Sequence, residues 1–392
     1  MENLAPRDFE SKKLKIIFFI RYFGDAFFYS FFQVFLAYKG LSESQIGIVA
    51  AITPFTSIIA NPCWQFFSKD ANTNRRILKV ISIIEALLII SFTTVSSFEI
   101  ICILTALVAI VGSPHYSLLD GFTATYCDIN KKTYSKIRIY GSIAYVFSTT
   151  IGGILITQIG YNWVFTLSGI FMISASILFN FVRPLELTSE EKKPLKRDYR
   201  SLLTNKRFYF YLFFYIFTIT VSGLGDTFFG VFLTKIKGLS ESEYGMYYSY
   251  IVICECIIMF ILGKWGKKIK DEYLFVFMGL SFSLRLLIAG LNLPTSVIVL
   301  CAGARGFAYG TFLYLNFNYI IKIVKLENVT AGILVIAIVN NTFLGIMNIF
   351  CGRLIESFGY NNVFLVQGII IIIATFCFLI KSLIEIKSNP QM

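Results

Sequence analysis

Lys39-Gly40-Leu41-Ser42-Glu43-Ser44 spells KGLSES, and the same six residues return at Lys237 to Ser242, 198 positions later. Gly24-Asp25-Ala26-Phe27-Phe28 precedes the first copy and Gly225-Asp226-Thr227-Phe228-Phe229 precedes the second. Further on, GGILITQIGYNWVFTLSGI from Gly152 stands over CGRLIESFGYNNVFLVQGI from Cys351, which sets Gly160-Tyr161-Asn162 over Gly359-Tyr360-Asn361 at a separation of 199. Both ends of one half recur in order, so the chain is an internal duplication.

The duplicated unit is a membrane unit. Of 392 residues, 56% are hydrophobic and 17% aromatic, with a mean hydropathy of +0.71. That leaves too little polar surface to cover a water-soluble globule of this length, so lipid must be the solvent. Apolar runs of about 20 residues, enough to cross roughly 30 Å of hydrocarbon, recur twelve times: 16–38, 45–67, 77–97, 99–122, 137–158, 162–182, 208–233, 245–265, 273–292, 296–319, 331–354 and 362–384. The first run lacks a small-residue cleavage site and is expected to be a retained span rather than a secretory signal.

The formal charge of +12 follows topology. Of 35 Lys and Arg, 28 fall in the termini and the even-numbered connections, against three (Lys39, Lys235, Lys237) in the odd-numbered ones. By the positive-inside rule both termini face the cytoplasm of a multi-pass protein in the cell membrane. The same distribution argues against a nucleic-acid partner. The eight cysteines are scattered without zinc or redox spacing, and Cys254 and Cys256, the closest pair, read as small apolar residues. No metal site or cofactor is expected.

The longest polar stretch, 183–207, carries EEKKPLKRDYR and separates spans six and seven. It divides the chain into a bundle at 1–182, a cytoplasmic linker at 183–207 and a bundle at 208–392. The two KGLSES copies lie on one side of the membrane only if an even number of spans separates them, and six satisfies this. The expected fold is all-α: twelve transmembrane helices in two pseudo-symmetric six-helix bundles, related by an axis along the membrane normal.

Nine ionisable residues sit inside these spans: Arg21, Asp25, Glu85, Asp120, Asp226, Glu255, Arg285, Arg305 and Arg353. A charge at the bilayer centre costs about 2.5–3.5 kcal/mol on the insertion scale. The nine must therefore face one another or a water-filled cavity. Arg21 and Asp25 stand one turn apart on one helix face and suit a local salt bridge. Asp226, at the equivalent place in span seven, has Ser222 where Arg21 stands, so it is expected to be the freer carboxylate. The sequence leaves Glu85 open between a buried partner and a cavity residue. His115, the one histidine, follows Gly112-Ser113-Pro114, which predicts a kink, and reads as a packed core residue.

YSKIRIYGSIAYVF, Tyr134 to Phe147, enters span five after Asp120 on span four. It resembles the branch of the major facilitator superfamily that includes lactose permease, phenylpropionate permease-like proteins and nucleoside-proton symporters. The family pattern of a basic residue, an Arg two places on, an aromatic and Gly-Ser is met by Lys136, Arg138, Tyr140 and Gly141-Ser142. CECIIMF around Glu255 is similar to the family's eighth helix, and LRLLIAG and ARGFAYG resemble its ninth and tenth. The resemblance implies that Asp120 and Arg138 bind substrate hydroxyls and that Tyr145 supplies the stacking aromatic. Glu255 and Arg285 match the family's acid and arginine, and with the other intramembrane charges Arg21, Asp25, Asp226 and Arg305 they are expected to form a coupling or gating network. This chain departs from the pattern at Arg305-Gly306, where the family has His-Gly, and at Ala308, where a carboxylate is usual. The loop between spans two and three, QFFSKDANTNRR, carries Gln65 and Asp70 in place of the superfamily's Gly-x-x-x-Asp.

The expected function is a secondary active transporter, not an enzyme. It moves a small polar solute, a sugar or a nucleoside, by alternating access, with proton symport and as a monomer. No phosphate-binding G-x-x-x-x-G-K-[ST] loop is present to drive it with ATP. The alternative is an efflux antiporter on the same fold, although span five reads FSTTIGGIL without the Gly-Pro of such antiporters. A transporter-like receptor is a more distant reading.

Overall fold

The computed structural model describes residues 5–186, 202, 204–325 and 328–388. Among them the regular structure is entirely helical. Most of the expected linker, at 187–201 and 203, lies outside the described residues.

Both KGLSES copies build the same corner. Gly40 and Gly238 take positive φ of 84° and 72°, where a Cβ would be strained. Each copy then caps a helix. Ser42 Oγ accepts from the Gln45 N–H while Gln45 Oε1 accepts from the Ser42 N–H at 3.0 Å. Ser240 and Glu243 repeat the exchange, at 3.3 and 2.8 Å. The hexapeptide with the residue after it is thus a glycine turn followed by a capping box.

In the first half, α1 (Ala5–Tyr29) and α2 (Phe32–Tyr38) share the first span, and α3 (Glu43–Phe67) and α4 (Ala71–Ser91) follow. Helices α5 (Phe98–Gly112) and α6 (His115–Ile129) form a fourth span, broken at Ser113-Pro114 as the kink predicted. Helices α7 (Ser135–Ile159) and α8 (Tyr161–Asn180) complete the half. Asp70 caps α4: the Thr73 N–H and hydroxyl donate to its carboxylate at 2.8 and 2.9 Å, which holds it below the ordinary aspartate range.

The seventh span runs from α9 (Lys206–Tyr215) through a π-helical stretch, Ile216–Thr220, into α10 (Val221–Val231) and a second π stretch, Phe232–Ile236. Helices α11 (Glu241–Trp265), α12 (Asp271–Gly290), α13 (Thr295–Cys301), α14 (Gly303–Ile323) and α15 (Val329–Ser388) follow. Nine of the described helical segments are long and apolar enough to span a membrane by composition. The last of them, α15, breaks at Gly359 (φ 79°, ψ 160°) and serves as two spans. With the α1–α2 segment and the charge-bearing α4 read as two further spans, the described helices are consistent with the twelve expected.

The chain divides into two compact units, Met1–Glu190 with Leu233–Ser249, and Glu191–Phe232 with Tyr250–Met392. In the first, α1 is clasped by α7 and α8. Ser148 Oγ donates to the Phe23 carbonyl at 2.6 Å, and Ser168 Oγ to that of Gly24 at 2.7 Å. Small residues let these helices approach closely where lipid gives no hydrophobic drive between them. Phe28 then packs edge-on and Phe35 tilted against Phe165, with centroids 4.9 and 4.8 Å apart. The segment 233–249 joins this unit on α7. Ser249 Oγ lies 2.6 Å from both Thr149 and Thr150 Oγ1, and Tyr244 Oη donates to the Ser30 carbonyl at 3.1 Å. In the second unit α12 packs on α14 and α15, and Phe214, Phe275 and Phe378 form an aromatic knot with centroids 4.5–5.3 Å apart.

Candidate functional site

The first unit buries a charge cluster. Arg21 Nη2 lies 2.9 Å from Asp25 Oδ1, closing the expected one-turn salt bridge, and 2.7 Å from Glu85 Oε2 on α4. These side chains are 1%, 0% and 0% exposed, so the whole cost of dehydration falls on their mutual contacts. Two tyrosines complete the coordination: Tyr29 donates to Glu85 Oε1 at 2.7 Å, and Tyr116 donates to Asp25 Oδ2 at 3.0 Å. His115 is packed, as expected, with Nδ1 4.0 Å from Glu85 Oε2 and neither ring nitrogen hydrogen-bonded among the described residues. Of the two roles the sequence left open for Glu85, the structure shows the buried partner.

One turn beyond Tyr116 on α6 stands Asp120, facing Arg138 on α7 at 3.8 Å, Nε to Oδ1. This pair is of another kind, with side chains 38% and 33% exposed and the distance too long for a hydrogen bond. Arg138 lies over the Tyr22 ring, 4.4 Å from its centroid, and Tyr22 packs on Tyr116 at 5.2 Å. Tyr145, two turns along α7 from Arg138 and so on the same face, accepts from Ser30 Oγ at 3.3 Å and faces Tyr248 at 6.1 Å. The three residues assigned to substrate thus share one side of α6 and α7. Tyr22 and Tyr116 connect them to the buried Arg21 cluster. A half-hydrated carboxylate and guanidinium, incompletely joined and flanked by aromatic faces, can accept from and donate to neighbouring hydroxyls of one polar ring.

The second unit has its own cluster. Asp226, on the short α10 between two π stretches, takes Arg285 Nη1 at 2.5 Å and Arg305 Nη2 at 2.9 Å, and Arg305 also approaches Glu255 at 3.8 Å. This corrects the expectation that Asp226 is the freer carboxylate. It lacks a cation on its own helix and draws two from α12 and α14. The guanidiniums are further fixed over aromatic rings, Arg285 on Phe229 and Arg305 on Tyr309, at 4.5 and 4.6 Å. Arg353, by contrast, is exposed on α15, against the expectation that every intramembrane charge is sheltered.

The clusters differ in charge balance. The second has two guanidiniums for two carboxylates, whereas the first has one for two, so that one proton would bring it to neutrality. Among the described residues no group of His, Cys, Asp and Glu has the arrangement of a metal site.

Comparison with known proteins agrees with this architecture. Residues 12–366 match the model of the MFS_1 like family. The chain is 25% identical over 181 residues to the uncharacterized transporter YwbF of Bacillus subtilis, 46% of this chain and 44% of that one. It is 20% identical over 194 residues to the maltose permease of Geobacillus stearothermophilus, 49% of each chain. The chain thus spans about half the length of the curated relatives it matches. Among solved structures, the nucleoside transporter NupG superimposes with a TM-score of 0.79 at 13% identity, covering 94% of this chain and 98% of that one. A bacterial homologue of the lysosomal transporter Spinster in an inward-facing state gives 0.71 at 14%, covering 97% of each. With a duplicated half, described helices consistent with twelve traverses and a family match over residues 12–366, the chain belongs to the MFS_1 like family and is a multi-pass membrane protein of the major facilitator fold.

Proposed function

We propose that this transporter carries a small polar organic solute, a sugar or a nucleoside, across the cytoplasmic membrane with both termini in the cytoplasm, in symport with protons. The observation that carries the reading is the half-exposed Asp120–Arg138 pair with Tyr145 on the same side of α7. A carboxylate and a guanidinium too far apart to satisfy each other keep hydrogen-bonding capacity for a ligand rich in hydroxyls, and the tyrosine ring offers a face to its sugar or base. Two of the proteins this chain is similar to, a maltose permease and a nucleoside transporter, favour the same two solute classes.

Coupling is assigned to the first cluster, with the Asp226, Arg285, Arg305 and Glu255 network as the gate of its own unit. A proton taken up at Asp25 or Glu85 leaves a balanced pair with Arg21. Because Tyr116 contacts Asp25 and Tyr22 covers Arg138, proton loading and substrate occupancy act on touching side chains. Each can then bias the conformational equilibrium that the other senses.

Thermal-shift screening of the purified protein with sugars and nucleosides tests the site. A stabilising hit that is lost in both Asp120→Asn and Arg138→Gln is the expected result. A hit that stabilises both variants as it does the parent removes these residues from the substrate site.

A further inference from the structure

At the end of the second unit where α9 and α12 begin and α11 and α14 finish lies a cavity of about 820 Å³. Arg207, Lys267, Lys268, Lys270, Lys322 and Lys381 line it, against two carboxylates, Asp271 and Glu272, a formal surplus of four positive charges. Lys322 engages Asp271 at 2.6 Å. The lysines of the turn Gly266–Lys268 and Lys270 are exposed among the described residues. The floor is aromatic: Phe210, Tyr314, Tyr319 and Phe378 line it, and Lys381 Nζ lies 3.6 Å from the Phe210 centroid.

Depth in the membrane can be read from two residues that flank the basin in sequence. Trp265, which ends α11, is 52% exposed, and Tyr273, in the first turn of α12, is 64% exposed. Exposed Trp and Tyr at helix ends mark the headgroup level of a bilayer. The basin therefore combines a cationic rim at headgroup depth with an apolar floor facing the acyl region. A soluble anion needs the first feature only, whereas a phospholipid uses both.

We propose that this basin binds the phosphate headgroup of an anionic glycerophospholipid from the cytoplasmic leaflet, with the upper part of an acyl chain on the aromatic floor. Lys267, Lys268 and Lys270 close around the phosphate, and Arg207 and Lys381 hold its far side. The bound lipid ties the α11–α12 turn to the starts of α9 and α12 and to the end of α14.

Native mass spectrometry of the full chain tests this, with phosphatidylglycerol and phosphatidylcholine of identical acyl chains as probes. The parent should retain phosphatidylglycerol in preference to phosphatidylcholine. The triple variant Lys267→Gln, Lys268→Gln, Lys270→Gln should bind it about a hundredfold more weakly, at roughly fivefold per lysine near a membrane surface. A second triple variant, Lys12→Gln, Lys131→Gln, Lys132→Gln, removes the same charge from the first unit and should keep the parent's retention. These substitutions lie on exposed or half-buried positions, and size-exclusion elution reports whether each variant stays folded. Equal retention of the two lipids by the parent, or undiminished phosphatidylglycerol on the basin variant, overturns the proposal. Displacement of the lipid by millimolar glycerol 3-phosphate would identify a soluble phosphate as the occupant and overturn the lipid assignment.

Discussion

Glu85 and Arg285 each stand fourteen residues beyond the first residue of their helices, α4 and α12, the corresponding helices of the two halves. One position of the duplicated unit thus holds opposite charges, and the rest of each cluster follows. With Glu85 in place, the first half requires Arg21 on its own first helix. With Arg285 in place, the second half can have Ser222 there and still hold Asp226. Removing Arg21 by Arg21→Gln leaves two buried carboxylates facing each other, and a loss of about 3–5 kcal/mol in an unfolding titration is expected. Glu85→Gln removes the surplus charge and keeps a group that can accept from Tyr29, so the protein should stay folded while solute uptake loses its dependence on the proton gradient. Uptake by Glu85→Gln that still follows the gradient would move the coupling site elsewhere. At the edge of the membrane, Asp70→Ala should cost about 0.5–2 kcal/mol through loss of the α4 cap. Because this carboxylate is held below its ordinary range, its contribution is complete at neutral pH and fades as pH falls past about 3.9 toward the lower folded value. The Asp70→Asn variant should show no such fade.

At the scale of elements, the repeat was legible because its signals are local. A glycine at positive φ and a Ser–Gln or Ser–Glu capping box need no tertiary context, and both copies fold as their six residues and the one that follows dictate. The Gly112-Ser113-Pro114 break and the Arg21–Asp25 bridge were readable for the same reason. What the sequence could not supply is which helices exchange charges: Asp226 seemed free only because its cations come from residues 59 and 79 positions away. The segment 233–249 is a second such case, since its packing on α7 depends on two glycines whose partners lie in another half of the sequence. A Cβ on Gly153 would strike the Glu241 carbonyl, and one on Gly245 the Thr149 carbonyl. Gly153→Leu should therefore pry this contact open at a cost of about 1–3 kcal/mol, read as a lowered thermal midpoint. A tolerated leucine would show that the close approach is not needed. Gly160 and Gly359 turn the fifth span into the sixth and the eleventh into the twelfth, with φ of 83° and 79° and ψ of 166° and 160°. Nothing lies within 4 Å of a Cβ built on either. Alanine at each should cost about 1–3 kcal/mol from backbone strain alone, by similar amounts in the two halves.

At the scale of the whole molecule, one duplicated bundle has been used twice with different electrostatics. The balanced cluster around Asp226 holds together α10, α12 and α14, whereas the unbalanced cluster around Arg21 sits under a half-exposed acid–base pair and is joined to it by two tyrosines. A transporter that couples two fluxes needs both a site that ligand can enter and a charge that a proton can cancel, and the proposal assigns both to the first unit. The measurement that tests this most directly is solute accumulation by proteoliposomes of the purified protein under an imposed inward proton gradient, with and without an uncoupler. The account expects accumulation above the external concentration that collapses on addition of uncoupler and is absent in Glu85→Gln. Accumulation indifferent to the uncoupler, or solute expelled as protons enter, would contradict it.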